Sequence, residues 1–339
     1  MEKEFDNFKV YYANARGIKS KMDSIERILM DIEPQVVCIT ETHLDDDEKI
    51  DIPGYRIFYN SDKKGKRGII IAVQDKLKHI TIETEKIKEK YQTLWVRIDN
   101  KKNKVNIGTI YAPQESRNIT STFNEMYKAI SDKISKVKHD GEKAMVVGDF
   151  NAKTGQIIEG NKEEVSKSGK ILLSMVLEHE LAILNANKKC VGKWTRMLGE
   201  ERSILDYSMV LEEDEKHLKS ITIDEDKSDT PQYTKKNKTT HSDHCAMIIE
   251  MNWTEASIET EEYKVVYNIN QDTLHRFTQK TSGKYLTEIS KKRIDLHKKY
   301  EEWTNEVKKV IDECFKTKKK TGKQPLKVER KLNQVKKAV

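Results

Sequence analysis

Several polar side chains follow strand-like segments of this chain of 339 residues. In chain order they are Asn14, Glu41, Tyr111, Asp149 with Asn151, Asp206, and Ser242 with Asp243 and His244. Glu41 offers the oxygen ligands that a hard divalent cation prefers. Asp149 can position and deprotonate a water, with the Asn151 amide orienting the water or a phosphate. The set therefore contains what hydrolysis of a phosphodiester demands.

His244 supplies a different part of that chemistry. A histidine that is hydrogen-bonded to a carboxylate is held in one tautomer and can become an imidazolium that faces phosphate charge. Asp206 is the expected orienting partner, and Tyr111 and Asn14 would add donors to the phosphoryl oxygens or the leaving group. The four cysteines are scattered and no His-rich box occurs. This donor set favours Mg2+ or Mn2+ over zinc.

Each of these residues also has a plain structural interpretation. Asn14 can form a turn, Glu41 can be a solvated strand end, and Tyr111 can pack at an interface. Asp149 and Asn151 can belong to an Asx turn, and His244 can cap a helix or lie in the core. The ordered set as a whole favours the catalytic interpretation over these alternatives.

Hydrophobic periodicity predicts the elements that carry these residues. Amphipathic spacing predicts helices over 20–31, 117–138 and 167–180. Short β-branched or apolar runs predict strands at 9–14, 35–40, 55–60, 68–73, 91–99, 104–111, 143–147, 182–184, 193–196, 204–210, 220–223 and 245–251. A polar insert from Asp224 to Thr240 interrupts the series and has no predicted role. We expect one domain over residues 1–253.

A basic segment follows this domain. The net charge of the chain is +7, and residues 281–339 hold 18 Lys and Arg against eight Asp and Glu. We expect a linker over 254–262 and a helical basic extension over 263–339, with amphipathic helices in 272–315 and a stretch too polar to fold from Lys316. Such a segment suits a polyanion such as nucleic acid, and equally a solvated helix face without a partner.

The composition argues against a membrane or secreted protein. Charged residues make up 35% of the chain and the mean hydropathy is -0.78. No apolar run approaches the roughly 20 residues that span a bilayer, and the N-terminus lacks the pattern of a secretory signal. We expect an intracellular protein without a disulfide scaffold.

Six blocks of sequence resemble one family. The blocks are YYANARG, CITETHL, IYAP, VVGDFNAKTG, SILDYSMV and HSDHCAM, and the family is the endonuclease/exonuclease/phosphatase superfamily. The resemblance spans residues 8–252. It implies a four-layer α/β sandwich, in which two packed, mainly antiparallel β-sheets are flanked by helices, and a site that uses Mg2+ or Mn2+ to cleave phosphate esters.

The resemblance also implies roles for individual residues. Asn14 and Glu41 match the metal-site pair, with Asp243 as a second ligand. Asp149 matches the water-activating aspartate, with Asn151 as its phosphate-orienting partner and Tyr111 near the scissile phosphate. Asp206 and His244 match an Asp-His dyad. The residues expected to contact nucleic acid are Arg16, Thr195 and Ser242.

Within the superfamily, three blocks resemble the apurinic-type endonucleases of LINE-type (non-LTR) retrotransposons: N-A-R-G, G-D-F-N-A-K-T-G and K-W-T-R. This resemblance implies nicking of double-stranded DNA in the nucleus to leave a 3′ hydroxyl that primes reverse transcription. The implied partners are a downstream reverse transcriptase domain and element RNA, the latter through the basic extension. Two alternatives stay open: a phosphodiesterase of the same fold acting on RNA, abasic DNA or phospholipid, and a catalytically inert nucleic-acid-binding module.

Overall fold

A computed structural model of the chain describes residues 8–61, 67–77, 80–83, 92–100, 103–114, 120–158, 161, 163–236, 238–253, 264–267, 309 and 316–319. The chain divides into two compact units, Met1–Glu255 and Ala256–Val339. Among the helices in the described ranges, none is both long and apolar enough to cross a membrane.

The described residues of the first unit form three α-helices and most of the strands. The helices are α1 (Met22–Ile32), α2 (Thr120–His139) and α3 (Lys167–Glu178). The strands up to the middle of the chain are β1 (Phe8–Asn14), β2 (Val36–Thr40), β3 (Tyr55–Asn60), β4 (Ile69–Gln74), β5 (Ile80–Glu83), β6 (Gln92–Asn100), β7 (Asn103–Tyr111), β8 (Lys143–Asp149) and β9 (Leu181–Ile183). The later strands are β10 (Cys190–Val191), β11 (Arg196–Leu198), β12 (Glu201–Ser203), β13 (Asp206–Leu211), β14 (Leu218–Ile223), β15 (Gln232–Lys235), β16 (Lys238–His241), β17 (Met247–Met251), β18 (Lys264–Tyr267) and β19 (Lys316–Lys319).

Two large sheets form the centre of this unit. The first has the order β10-β14-β17-β1-β2-β4-β3, and the second has the order β5-β6-β7-β8-β13-β9. Most neighbouring strands are antiparallel, and the exceptions are β1 with β2, β7 with β8, and β10 with β14. Their inner faces share one apolar cluster, which includes Tyr12, Cys38, Ile107 and Val147.

The helices cover the outer faces of the sheets. Helix α1 packs on the first sheet through Ile25, Ile28 and Leu29. Helices α2 and α3 pack on the second sheet through residues such as Phe123 and Leu172. The layers therefore run helix, sheet, sheet, helix, and the predicted four-layer α/β sandwich with mainly antiparallel sheets is confirmed.

Some predicted elements differ from the structure. Residues 193–195 were predicted to be part of a strand, but the strand β11 begins only at Arg196, because Thr195 uses its side chain to cap neighbouring backbone amides. The polar insert contains a hairpin, β15–β16. The segment from Lys316 was predicted to be unstructured, yet Lys316–Lys319 forms the strand β19. It pairs with β18, which contains two β-branched valines and supplies the backbone hydrogen-bond partners. The predicted linker 254–262 and the helices expected over 272–315 lie outside the described residues, apart from Lys309.

Candidate active site

The polar residues that follow the strands meet at one edge of the two sheets. Parallel pairing places Asn14 at the end of β1 opposite Thr40 at the end of β2, next to Glu41. In the second sheet, Tyr111 pairs with Asp149 across the parallel strands β7 and β8. Because parallel strands end on the same side of a sheet, each pair opens at the same mouth.

The mouth is bordered by backbone in a left-handed conformation. Positive φ angles occur at Arg16 (43°), Glu41 (50°), His43 (55°) and Asn151 (44°). Such a conformation is unfavourable by about 1–2 kcal/mol for most residues. Backbone hydrogen bonds hold two of these turns in place, from Gly17 N to Glu41 O at 2.8 Å and from His43 N to Arg67 O at 2.7 Å. Four of the eight non-glycine residues with positive φ in the described ranges therefore lie at the mouth.

Asn14 links the two sheets at the mouth. Its Nδ2 donates to Glu41 Oε1 at 3.0 Å and to Asp149 Oδ2 at 3.2 Å. Its Oδ1 accepts a hydrogen bond from the backbone nitrogen of Arg16 at 3.2 Å. Asn14 thus holds two carboxylates by donation, and its oxygen does not face them. In this rotamer the Asn14 oxygen is bonded to the backbone of Arg16, and the role of Asn14 as a metal ligand stays a prediction.

Glu41 is a half-buried carboxylate with two side-chain donors. His43 Nε2 lies 3.5 Å from Glu41 Oε2 on the side away from Asn14. Burial alone would raise the pKa of the Glu41 carboxyl, but the hydrogen bonds from His43 and Asn14 outweigh it and lower this pKa. Glu41 is therefore ionised at neutral pH, as a cation ligand must be.

Asp149 is a deeply enclosed acid of the mouth, with 1% of its surface exposed. The backbone nitrogen of Asn151 donates to Asp149 Oδ1 at 2.9 Å. Burial, followed by the negative charge of Asp206, raises the pKa of the Asp149 carboxyl, and the nearby His244 opposes that rise. A carboxylate with a raised pKa is a stronger base than an ordinary aspartate, which suits proton abstraction from water.

Asp206 and His244 form a buried pair. His244 Nδ1 and Asp206 Oδ2 lie 2.8 Å apart. Tyr12 donates its hydroxyl to the other oxygen, Oδ1, at 2.7 Å, so a residue of the first sheet fixes a carboxylate of the second. His244 Nε2 is left facing Asp149 Oδ2 at 4.0 Å. The predicted Asp-His pairing has the geometry of an orienting dyad.

The charge on His244 follows from its neighbours. Burial alone would lower the pKa of the imidazole, but the charge of Asp206 and its hydrogen bond, with Asp149 behind it, raise that pKa to about 9. At neutral pH His244 is therefore an imidazolium, a fixed positive charge in a buried site that can stabilise negative charge on a phosphate.

Tyr111 and Asn151 complete the mouth. Burial and the charge of Glu41 raise the pKa of the Tyr111 hydroxyl, so that it stays protonated and can donate. The amide Nδ2 of Asn151 donates to the backbone oxygen of Ala112 at 2.8 Å, which ties the turn after β8 to the turn after β7. The structure therefore brings Tyr111 and Asn151 to the same mouth as Asp149.

Asp243 is engaged by cations of the protein itself. Arg16 Nη1 lies 2.8 Å from Asp243 Oδ1, and Arg196 Nε lies 3.0 Å from Oδ2. Burial would raise the pKa of this carboxyl, but the charges of His244 and Arg16 lower it. Both oxygens are thus occupied by arginine, and this arrangement does not support the predicted role of Asp243 as a second metal ligand.

Two residues predicted to contact nucleic acid are buried. Thr195 is 0% exposed, and its hydroxyl accepts the backbone amides of Leu205 and Asp206 at 2.9 and 3.0 Å. Ser242 is 2% exposed, and its hydroxyl accepts the backbone amide of His244 at 3.3 Å. Both hydroxyls thus shape the site from behind, and their contact with nucleic acid stays a prediction. Of the three predicted contacts only Arg16 is exposed, with 53% of its side chain accessible.

Two lysines that the sequence did not single out hold the loops around the mouth. Lys227 Nζ donates to the backbone oxygens of Ser242, Asp243 and His244 at 3.1, 3.2 and 2.7 Å. Lys21 Nζ does the same for Ala15, Arg16 and Gly17. Both contacts are to main-chain oxygens, so no motif of side chains could have signalled them.

The donor set fits a hard divalent cation. Ligand atoms of Asp149, Asp206 and His244 lie within 4.8 Å of one another, but His244 Nδ1 and Asp206 are already hydrogen-bonded to each other. Glu41 and Asp149 approach the same Asn14 amide from the two sheets, which concentrates negative charge at the mouth. Because Mg2+ and Mn2+ take oxygen ligands, the ionised carboxylate of Glu41 is the group best suited to hold one.

Comparison with known families agrees with this geometry. Residues 10–157 match the Endonuclease/Exonuclease/phosphatase family, and residues 105–248 match a family described as Endonuclease-reverse transcriptase. Together the two matches cover the strands and loops that form the mouth.

Individual relatives point the same way. An RNA-directed DNA polymerase from the mobile element jockey of Drosophila melanogaster is 24% identical over 178 residues, which are 52% of this chain and 18% of that protein. The chain thus spans about a fifth of the length of this curated relative.

Solved structures share the fold. The endonuclease domain of TRAS1, a telomere-specific non-LTR retrotransposon, has a TM-score of 0.53 at 17% identity and covers 74% of this chain and 100% of its own. An AP endonuclease from Leishmania major has a TM-score of 0.58 at 12% identity, with 74% and 90% covered. The chain is therefore similar to the endonuclease/exonuclease/phosphatase family over residues 10–157 and to endonuclease-reverse transcriptases over residues 105–248, and its fold is that of the endonuclease domain of a non-LTR retrotransposon.

Proposed function

We propose that this chain is a Mg2+-dependent DNA endonuclease that nicks target DNA and leaves a 3′ hydroxyl from which a retroelement primes reverse transcription. The observation that carries the proposal is the continuous hydrogen-bonded network from Glu41 through Asn14 to Asp149, which faces the Asp206–His244 pair. The mouth thus holds a base, Asp149, a buried positive charge on His244, and the carboxylate of Glu41, which suits a hard cation.

The chain's own residues divide the work of hydrolysis. Asp149 accepts a proton from the attacking water, because its carboxylate is desolvated and its pKa is raised. Asn151 holds the turn that aims this carboxylate. His244, kept positive by Asp206, stabilises the charge that develops on the phosphoryl oxygens.

Residues at the edge of the mouth bind the substrate and assist loss of the leaving oxygen. Tyr111 keeps its proton and donates to a phosphoryl oxygen beside Glu41. Arg16, which is exposed and faces Asp243, contacts the DNA backbone. A Mg2+ or Mn2+ held by Glu41 would neutralise phosphate charge and favour loss of the leaving oxygen.

The proposal extends to partners and place of action. Double-stranded DNA is the substrate, and a reverse transcriptase domain downstream in the same polypeptide is the user of the nick. Element RNA is a further candidate partner of the basic extension. Chromosomal DNA as target implies action in the nucleus. These proposals rest on the kinship with retroelement proteins.

Two experiments test the product and the substrate. Plasmid nicked by the protein should serve directly as a primer for a DNA polymerase, since a 3′ hydroxyl is extended whereas a 3′ phosphate is not. Parallel assays should offer intact duplex, abasic duplex, RNA and a phospholipid. Cleavage of RNA, abasic DNA or phospholipid in preference to intact duplex would replace the proposal by one of its alternatives.

A further inference from the structure

The hairpin β15–β16 is an exposed basic element within the insert that precedes the catalytic histidine. Its lysines are Lys235, Lys236 and Lys238, and all three are exposed. No aspartate or glutamate occurs between Thr230 and Ser242. In the part of the chain that the structure describes, none of the three lysines has an ion-pair partner.

The two strands of the hairpin place like charges together. Lys235 pairs directly with Lys238 across the strands, an arrangement that is destabilising between like charges. The pairing is stabilised on the neighbouring position by a hydrogen bond between the hydroxyls of Thr234 and Thr239 at 3.1 Å. A polyanion bound at the tip would relieve the repulsion.

The base of the hairpin is hydrogen-bonded to the turn that carries Asp243 and His244. Ser242 N donates to Pro231 O at 3.3 Å, which closes the base immediately before Asp243. On the other side of the insert, the Asp224 carboxylate accepts from Ser228, Asp229 and Thr230. This braced loop presents Lys227 to the backbone of the same turn. The insert is therefore hydrogen-bonded at two places to the turn that carries Asp243 and His244.

The hairpin also lies beside the loop that carries Arg16. Gln232 N donates to Ser24 Oγ at 3.3 Å, and Lys21 Nζ lies 5.9 Å from the centre of the Tyr233 ring. At about 3.3 Å per residue, the lysines at the tip stand roughly 10 Å from the base. That span corresponds to about three base pairs of a duplex, given one phosphate per about 3.4 Å on each strand.

We propose that the hairpin Gln232–His241 is a docking surface for the phosphate backbone of duplex DNA that occupies the active site. The inference rests on the proposed nuclease function and deepens it by naming a surface that holds the substrate. The contacts are to phosphates and carry no sequence information, so the hairpin adds affinity and positions the duplex.

The test compares two triple variants of the full chain. The first is K235Q/K236Q/K238Q. The matched control is K76Q/K216Q/K219Q, which removes three exposed lysines from the opposite ends of the strands, since Lys76 follows β4 and Lys216 and Lys219 flank the start of β14. Binding of a fluorescent duplex is measured in EDTA over a range of salt concentrations.

The salt dependence gives the decisive readout. Each phosphate contact contributes about 0.9 to the slope of log affinity against log salt, so the hairpin variant should lose about two to three from that slope while the control keeps it. With Mg2+ and saturating DNA, the hairpin variant should retain the parental nicking rate and show a raised KM.

The contrary results are distinct from failure of the nuclease proposal. If the parent nicks plasmid and the hairpin variant binds with the slope of the control, the hairpin inference is overturned and the nuclease proposal stands. A loss of slope with single-stranded RNA but not with duplex would also overturn it. If the parent does not nick any DNA, the nuclease proposal itself fails.

Discussion

Arg16 and Asp243 join the two loops that border the catalytic mouth, with 2.8 Å between Nη1 and Oδ1. Each loop is held separately by a buried or half-buried lysine, Lys21 for the first and Lys227 for the second. The ion pair therefore connects two elements that are already fixed. We therefore expect Asp243 to position Arg16 and Arg196 at the edge of the mouth.

Asp243→Asn should tighten DNA binding in EDTA by roughly two- to tenfold, because two arginines lose their internal counter-charge and become available to phosphates. The concentration of Mg2+ that gives half-maximal nicking should not change. Asp140→Asn, at an exposed carboxylate in another part of the unit, is the charge-matched control. A raised Mg2+ requirement in Asp243→Asn would restore this residue as a metal ligand.

Asp206→Asn should shift the pH dependence of nicking. The charge of Asp206 is the main reason that the pKa of His244 rises to about 9 in spite of burial, so the active imidazolium of the parent persists up to that pH and is lost above it. Without the charge, the alkaline limb of the profile should move to lower pH. Tyr12→Phe removes a hydrogen bond from Asp206 but keeps the charge, and should leave the limb near that of the parent. If the alkaline limbs of Asp206→Asn and the parent coincide, the charge on His244 does not control the nicking rate.

Lys227→Met should reduce kcat with little change in KM, because Lys227 positions the turn that carries His244 and does not touch the substrate. Loss of three hydrogen bonds from one ammonium should also lower the free energy of unfolding by about 1–3 kcal/mol. Lys227→Arg should recover part of the kcat. If Lys227→Met loses stability but turns over like the parent, the lysine is structural only.

Thr195→Val tests the reassignment of Thr195 from DNA contact to internal support. Valine leaves the backbone amides of Leu205 and Asp206 without an acceptor, and each such buried donor is unfavourable by about 1–3 kcal/mol. We expect a lower melting temperature, with DNA affinity per folded molecule unchanged, and near-parental behaviour of Thr195→Ser. Weaker DNA binding by a fully folded Thr195→Val protein would support the original prediction.

The resemblance of the six sequence blocks to a known family implied the four-layer sandwich, and local pattern indicated which polar residues follow strands. Strand periodicity located the ends of β1 and β7 at Asn14 and Tyr111, but it ended β8 two residues before Asp149. The sequence could not tell which hydroxyl of a short polar block faces inward, so it did not predict that Thr195 and Ser242 are buried. It also could not reveal Lys21 and Lys227, whose partners are main-chain oxygens brought near by folding.

The central claim is tested most directly by nicking of supercoiled plasmid with Asp149→Asn beside the parent. We predict that the parent forms open circles with Mg2+ and none in EDTA. The variant should be slower by about 10²- to 10⁴-fold, the usual contribution of a general base, although it binds DNA in EDTA and unfolds at no lower temperature. The last expectation follows because burial and Asp206 raise the pKa of this carboxyl, so its ionised form destabilises the folded state as pH rises. Parental turnover by Asp149→Asn, or nicking by the parent that persists in EDTA, would contradict the account.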